Sequence, residues 1–137
     1  MPNQNGILET SLYVEEMDRS QRFYQEVLQF QKLVSDERFC AFQASQHQVL
    51  LLFKKGASTQ PMVIEGGVIP PHDASGQMHL AFAISDHELS RWEHWLREHQ
   101  IVIESKVRWE RGGQSIYFRD PDRHLLELVT PGCWAIY

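Results

Sequence analysis

Apolar residues recur along this chain in two similar rounds. Ile7 to Val14 (ILETSLYV) is β-rich and apolar with polar interruptions, which predicts a strand. Phe23, Tyr24, Val27 and Leu28 then fall at i, i+1, i+4 and i+5, one face of a helix of about three turns. Asp18, with Gln21 three residues on, supplies a capping-box pattern at its start. Short strands are predicted next near Gln31–Val34, Phe39–Ala44 and Gln48–Phe53, with Ser45-Gln46-His47 as the hairpin loop between the last two.

The second round repeats the first. Met78 to Ile84 (MHLAFAI) reads as a strand, and Ser85 with Glu88 as another capping box. Leu89, Trp92, Trp95 and Leu96 mark the apolar face of a helix ending near His99. Strands are predicted at Ile101–Ile103, Ser115–Phe118 and Leu125–Val129, with Gly112-Gly113 and Asp120-Pro121-Asp122 as turns. The helix aromatics Phe23, Tyr24, Trp92 and Trp95 are core candidates. The segment from Gly56 to Gly76 carries Gly66-Gly67 and Pro70-Pro71 and few periodic apolar residues, so it reads as a long loop. The expectation is an α+β chain, one domain over 1–137, with βαβββ modules at about 7–55 and 76–131 and a linker at 56–75.

The repeat sets a register. Superposing ETSLYV (Glu9–Val14) on HLAFAI (His79–Ile84) puts Glu9 and His79 at one place, and superposing the last strands puts Leu50 at the place of Glu127. Period two adds that Glu127 sits between Leu126 and Leu128, and His79 between Met78 and Leu80. A carboxylate inside an apolar strand needs a charged partner or a metal to offset its desolvation. Two readings stand at this point. Glu9, His79 and Glu127 form a metal site, or the two carboxylates lie on solvent faces and His79 is a core histidine bonded to a carbonyl.

Composition narrows the classes. The chain has 137 residues, 42% hydrophobic and 23% charged, a globular profile. Its formal net charge is -5 and no Lys/Arg cluster appears, which argues against nucleic acid. No apolar run approaches the roughly 20 residues of a membrane span, and the polar start Met1-Pro2-Asn3-Gln4-Asn5-Gly6 does not resemble a signal peptide. Two cysteines, Cys40 and Cys133, make no disulfide scaffold, so a reducing cytoplasm is expected. Neither lies near a His or a second Cys in sequence, so neither is read as a nucleophile. The chain has no phosphate-binding glycine loop and no serine-nucleophile elbow.

LYVEEMDRSQRFYQEVLQF (Leu12–Phe30), GQMHLAFAI (Gly76–Ile84) and SIYFRDPDRHLLELVTP (Ser115–Pro131) resemble the vicinal-oxygen-chelate superfamily. That group includes glyoxalase I, fosfomycin-resistance enzymes, extradiol dioxygenases and bleomycin-binding proteins. The resemblance covers nearly the whole chain. It implies two βαβββ modules whose mixed sheets curl around a central cleft. It implies metal ligands at Glu9, His79 and Glu127, with a proton-moving role at Glu127 or Glu9. The fourth ligand place is Leu50, which leaves a three-ligand, open centre. Two departures are visible. Leu-Gly-Phe after the first helix is Leu28-Gln29-Phe30, and Asp-Pro-Asp-Gly is Asp120-Pro121-Asp122-Arg123, which suggests a different turn geometry.

Two carboxylates and an imidazole suit Mn, Fe, Ni, Co, Zn or Mg without choosing among them. Arg119, Arg108, Trp109, Arg111 and His72 stand near the implied centre in sequence and are candidates for holding a small substrate. The first functional expectation is a glyoxalase-like lyase or isomerase whose metal stabilises an oxyanion or enediolate. The alternatives are a fosfomycin-type thiol transferase or epoxide hydrolase, an extradiol dioxygenase, and a non-catalytic small-molecule binder. The resemblance also implies a homodimer in which Glu9 of one chain meets His79 and Glu127 of the other.

Overall fold

The computed structural model describes all residues from Met1 to Tyr137, in two compact units, Met1–Ser75 and Gly76–Tyr137. No helix is long and apolar enough to cross a membrane. In the first unit, β1 (Glu9–Val14) leads to α1 (Met17–Glu26), then β2 (Gln31–Ser35), β3 (Phe39–Ser45) and β4 (Gln48–Lys54). The sheet order is β1-β4-β3-β2, parallel between β1 and β4 and antiparallel elsewhere. A separate hairpin, β5 (Met62–Ile64) and β6 (Gly67–Ile69), follows.

In the second unit, β7 (His79–Ala83) leads through a 3-10 turn to α2 (Leu89–Glu98), then β8 (Ser105–Arg108), β9 (Gln114–Arg119) and β10 (Leu125–Val129). The order β7-β10-β9-β8, with one parallel pair, is the same as in the first unit. Both sheets are mixed, as the resemblance implied, and neither is closed; the strand–helix–three-strand order of each half is the one the repeat predicted. A parallel pair needs a crossover, and the helix supplies it in each unit.

Each sheet buries one face. In the first, Leu12, Leu50, Leu52, Cys40 and Phe42 share a face and are at most 2% exposed. The α1 residues Phe23, Tyr24, Val27 and Leu28 are buried with them, and Tyr24 lies 6.1 Å from the Phe42 ring. In the second, Leu126, Leu128, Ile116 and Phe118 face the same way and are buried together with Leu96 of α2. Trp92 and Trp95 are only half-buried, so the core expectation fails for them. Leu96 is the fully buried anchor of α2, and Trp95 instead packs against His99 with centroids 4.0 Å apart and the rings tilted by 40°.

Several local expectations are corrected. Helix α1 starts at Met17 with Glu16 as its N-cap, and no side chain caps it, so Asp18 lies inside the first turn rather than ahead of it. Ser85 precedes the 3-10 turn with no side-chain cap either; Glu88 is drawn instead to Arg91, at 2.6 Å. Ile101–Ile103 is not a strand. The Ile101 N–H closes the helix on the Leu96 carbonyl (2.8 Å), and pairing to β9 starts only at Glu104. The segment read as loop carries β5 and β6, built on Met62-Val63-Ile64 and Val68-Ile69 around Gly66-Gly67.

The backbone is left-handed at both positions where the resemblance leads one to expect glycine. Gln29 has φ 56° and Arg123 has φ 69°, both in the left-handed region that glycine favours. At Arg123 the turn is held by the Asp120 carboxylate, whose Oδ1 accepts from the N–H groups of Asp122 (2.9 Å) and His124 (2.8 Å).

Candidate metal centre

Strand register places the site residues on the second sheet. His79 is opposite Leu125, Glu127 is opposite Ala81 and Tyr117, and Tyr117 is opposite Ser105. Side chains alternate along each strand, so His79, Glu127, Tyr117, Ser115 and Arg119 share the face away from the apolar core. Glu127 is nonetheless only 5% exposed.

His79 and Glu127 meet there. Nε2 of His79 lies 3.2 Å from Oε2 of Glu127. Nδ1 of His79 lies 3.0 Å from the Leu125 carbonyl oxygen. A carbonyl only accepts, so Nδ1 carries the hydrogen, and Nε2 is the ring atom turned toward Oε2. The other carboxylate oxygen is already taken. Oε1 accepts from the Ser115 hydroxyl at 2.5 Å and from the Tyr117 hydroxyl at 3.0 Å. Ser115 accepts in turn from the Trp109 indole N–H at 2.7 Å.

This arrangement fits a metal ion. A ligating histidine characteristically donates its second N–H to a backbone carbonyl, and a ligating carboxylate has its far oxygen bonded. Both conditions hold for His79 and Glu127. No Lys or Arg pairs with Glu127; its carboxylate meets the Ser115 and Tyr117 hydroxyls and the His79 imidazole. Burial followed by the Glu127 hydrogen bond pushes the Tyr117 phenol up, which keeps it a proton donor. Burial and the Glu127 charge push the Cys133 thiol up as well. Cys133 is carried there by a close backbone crossing, since a Cβ on Gly113 would stand 2.5 Å from the Gly132 carbonyl carbon.

No third His, Cys, Asp or Glu joins this pair within the second unit. Glu9 opens β1 of the first unit and is exposed. Its place in the repeat matches that of His79, but the partner position needs correcting. Glu9 is opposite Val49, as His79 is opposite Leu125, so two residues on from each gives Leu51 and Glu127. Leu51, not Leu50, is the equivalent of Glu127. Leu50 points to the α1 side and is 1% exposed. The superposition of sequences was out by one residue, which inverts the face. A leucine occupies the position either way.

The remaining candidates scatter. Arg119 shares the face of Glu127 but is bound by Glu104, with Nε to Oε2 at 2.9 Å and Nη2 to Oε1 at 3.1 Å. Arg108 pairs in register with Gln114, which puts it on the α2 face; it lines a cavity of about 400 Å³ with Glu93 and Lys106. Arg111 is exposed in the turn after Trp109. Trp109 reaches the centre through Ser115. His72 belongs to the first unit, where its Nδ1 meets the Tyr13 hydroxyl at 2.6 Å. Ser115, Tyr117 and Cys133 were not anticipated. Counting by two from Glu127 across an antiparallel pair would have found the first two, but the register is not written in the sequence.

Residues 6–128 match the model of the Glyoxalase/Bleomycin resistance protein/Dioxygenase superfamily, and the chain belongs to that superfamily. Among its relatives is the metallothiol transferase FosB of Staphylococcus epidermidis, 30% identical over 119 residues, which span 85% of this chain and 75% of FosB. A lactoylglutathione lyase from Agrobacterium tumefaciens superposes with a TM-score of 0.88 at 28% identity, over 98% of this chain and 99% of that one. A variant of the fosfomycin resistance protein FosX from Listeria monocytogenes, solved with Mn(II) and a dihydroxypropylphosphonic acid, shares the fold. Its TM-score is 0.67 at 20% identity, over 92% of this chain and 90% of that one.

Proposed function

We propose that the protein is a divalent-metal-dependent lyase or isomerase of the glyoxalase kind, acting on a small oxygen-rich molecule. His79 and Glu127 would hold the metal with Glu9 as the third ligand. The convergence of Nε2 and Oε2 at 3.2 Å, each with its opposite atom already hydrogen-bonded, is the observation that carries this reading.

The bound metal would supply Lewis-acid polarisation of substrate oxygens. The chain's own residues do the rest. Ser115 and Tyr117 fix the Glu127 carboxylate by Oε1, so Oε2, once released from the metal, would be the atom that takes a proton from carbon next to a carbonyl and returns it. Leu51 in place of a fourth ligand leaves positions for water and substrate.

A second reading, thiol transfer to an epoxide-bearing phosphonate, is favoured by the similarity to FosB. It is the weaker of the two at this face, because Arg119 is neutralised by Glu104 and Arg108 stands on the other side of the sheet. The similarity to the lactoylglutathione lyase over nearly the full length of both chains supports the first. A homodimer sharing each centre between chains completes the proposal; a monomer by light scattering would remove that part.

The test is a turnover panel: methylglyoxal with several low-molecular-weight thiols, fosfomycin with the same thiols, and catechols, each with Mn, Ni, Co, Zn or Mg. Isomerisation of the methylglyoxal–thiol adduct, abolished in Glu127→Gln, is the expected result. Turnover of fosfomycin alone would select the second reading.

A further inference from the structure

In the first unit, Arg38 is a half-buried cation without a counter-charge. It immediately precedes β3, and its guanidinium carbon lies 5.1 Å from the Phe39 ring centroid and 5.6 Å from that of Phe53. Those rings belong to the sheet face that carries Glu9, because Phe39, Phe53 and Tyr13 are opposite one another and Tyr13 is four residues on from Glu9. Nη1 donates to the buried Ser58 hydroxyl at 3.0 Å and Nη2 to the Met62 sulfur at 3.3 Å. The Nε–H is buried and unpartnered.

None of these contacts is an anion. Asp36, two residues away, spends its Oδ1 on the backbone N–H groups of Arg38 and Phe39. His72 closes one side: its N–H donates to the Ser58 carbonyl at 2.9 Å and its ring meets Phe53 edge-on at 4.4 Å. Asp73 beside it accepts from the Gly56 N–H at 3.3 Å and makes no ion pair with Arg38. Arg119 in the second unit is equally half-buried, yet Glu104 grips it with two hydrogen bonds. A desolvated guanidinium normally finds such a partner. An orphan buried N–H likewise calls for a bound group.

We propose that Arg38, walled by Phe39, Phe53, Ser58 and His72, is a binding subsite for the oxyanion end of a small organic molecule, a carboxylate, phosphate or phosphonate. The guanidinium fork would bind two oxygens side by side, and the rings would pack the adjoining carbon chain. No candidate metal ligand takes part, so the subsite stands independently of the metal reading.

The test uses the full chain in EDTA, at constant ionic strength, with acetate and methylphosphonate as probes. The side-chain Nε–Hε resonance of Arg38 is followed by NMR. A saturable displacement of that resonance is expected, and the affinity should fall about tenfold or more in Arg38→Gln, the scale of losing one charge-assisted hydrogen bond. Arg38→Lys should recover part of it, since charge returns without the fork. Displacement by one probe only assigns the source as carboxylate or phosphonate. If neither probe shifts Arg38 saturably, or if a folded Arg38→Gln binds as well as wild type, the subsite does not exist. Should Arg38→Gln fail to fold, the wild-type resonance alone decides.

Discussion

Nε2 of His79 and Oε2 of Glu127 face each other at 3.2 Å, and each is the free atom of a group whose other atom is engaged. Nδ1 of His79 is held by the Leu125 carbonyl, and Oε1 of Glu127 by two hydroxyls. The parallel pairing of β7 with β10 sets this geometry, because it places the two residues two positions apart on one face. Glu127 is buried while the His79 side chain is half exposed, so a cation reaching this point from solvent would be shared by both groups.

Trp109 acts on Glu127 only through Ser115. The indole N–H can only donate and the carboxylate can only accept, so the Ser115 hydroxyl is fixed between them, at 2.7 Å and 2.5 Å. Ser115→Ala should weaken metal binding about tenfold, the low end of effects seen for groups that hold a ligand. Trp109→Phe should weaken it less, and should add nothing in the Ser115→Ala background. Competition titration with a chromophoric chelator measures all four affinities; independent, additive losses would disprove the relay.

A shared centre predicts complementation. Glu9→Ala and Glu127→Ala homodimers should each lack metal. After mixing and exchange, roughly a quarter of the wild-type sites should return, because half the dimers are mixed and each of these regains one intact centre. No recovery after proven exchange would place all three ligands within one chain.

Much of this was legible in the sequence, and what was missed has physical causes. Leu125–Val129 and the buried face of α1 follow directly from periodicity. The helix starts did not, because Glu16 and Ser85 leave the helix ends uncapped by side chains, so the Asp18–Gln21 and Ser85–Glu88 patterns carried no signal. Strand β8 (SKVR) carries one apolar residue and was passed over for the apolar Ile101–Ile103. His79 and Glu127 could be picked as residue types in apolar strands. Ser115, Tyr117 and the equivalence of Leu51 required the register, which depends on which carbonyl meets which N–H.

Cys40 gives the chain a pH signature. Burial pushes its thiol from 9.0 up to about 11. The proton is therefore held more tightly in the folded state. The corresponding stability is fully present below pH ~9 and is lost as pH rises toward ~11, up to roughly 2–3 kcal/mol in total. Urea unfolding of wild type minus Cys40→Ala across that window should show the decline, since other alkaline titrations cancel. A flat difference would mean that the thiol is not desolvated. At neutral pH, Cys40 should resist Ellman's reagent until the chain unfolds.

Gln29 and Arg123 hold left-handed backbone at φ 56° and 69°. That conformation costs about 1–2 kcal/mol for a residue with a Cβ, against about 0.5–1 kcal/mol of extra chain entropy for glycine. Gln29→Gly and Arg123→Gly should each stabilise the chain by about 0.5–1 kcal/mol in urea unfolding. Destabilisation by either would show that its side chain contributes more than its backbone strain costs.

The central claim is that His79 and Glu127 hold a divalent metal. Metal content by mass spectrometry on untagged protein tests it most directly. Wild type should carry metal at a stoichiometric level, and His79→Ala and Glu127→Ala should each carry almost none while remaining folded. Full metal content in both variants would contradict the claim.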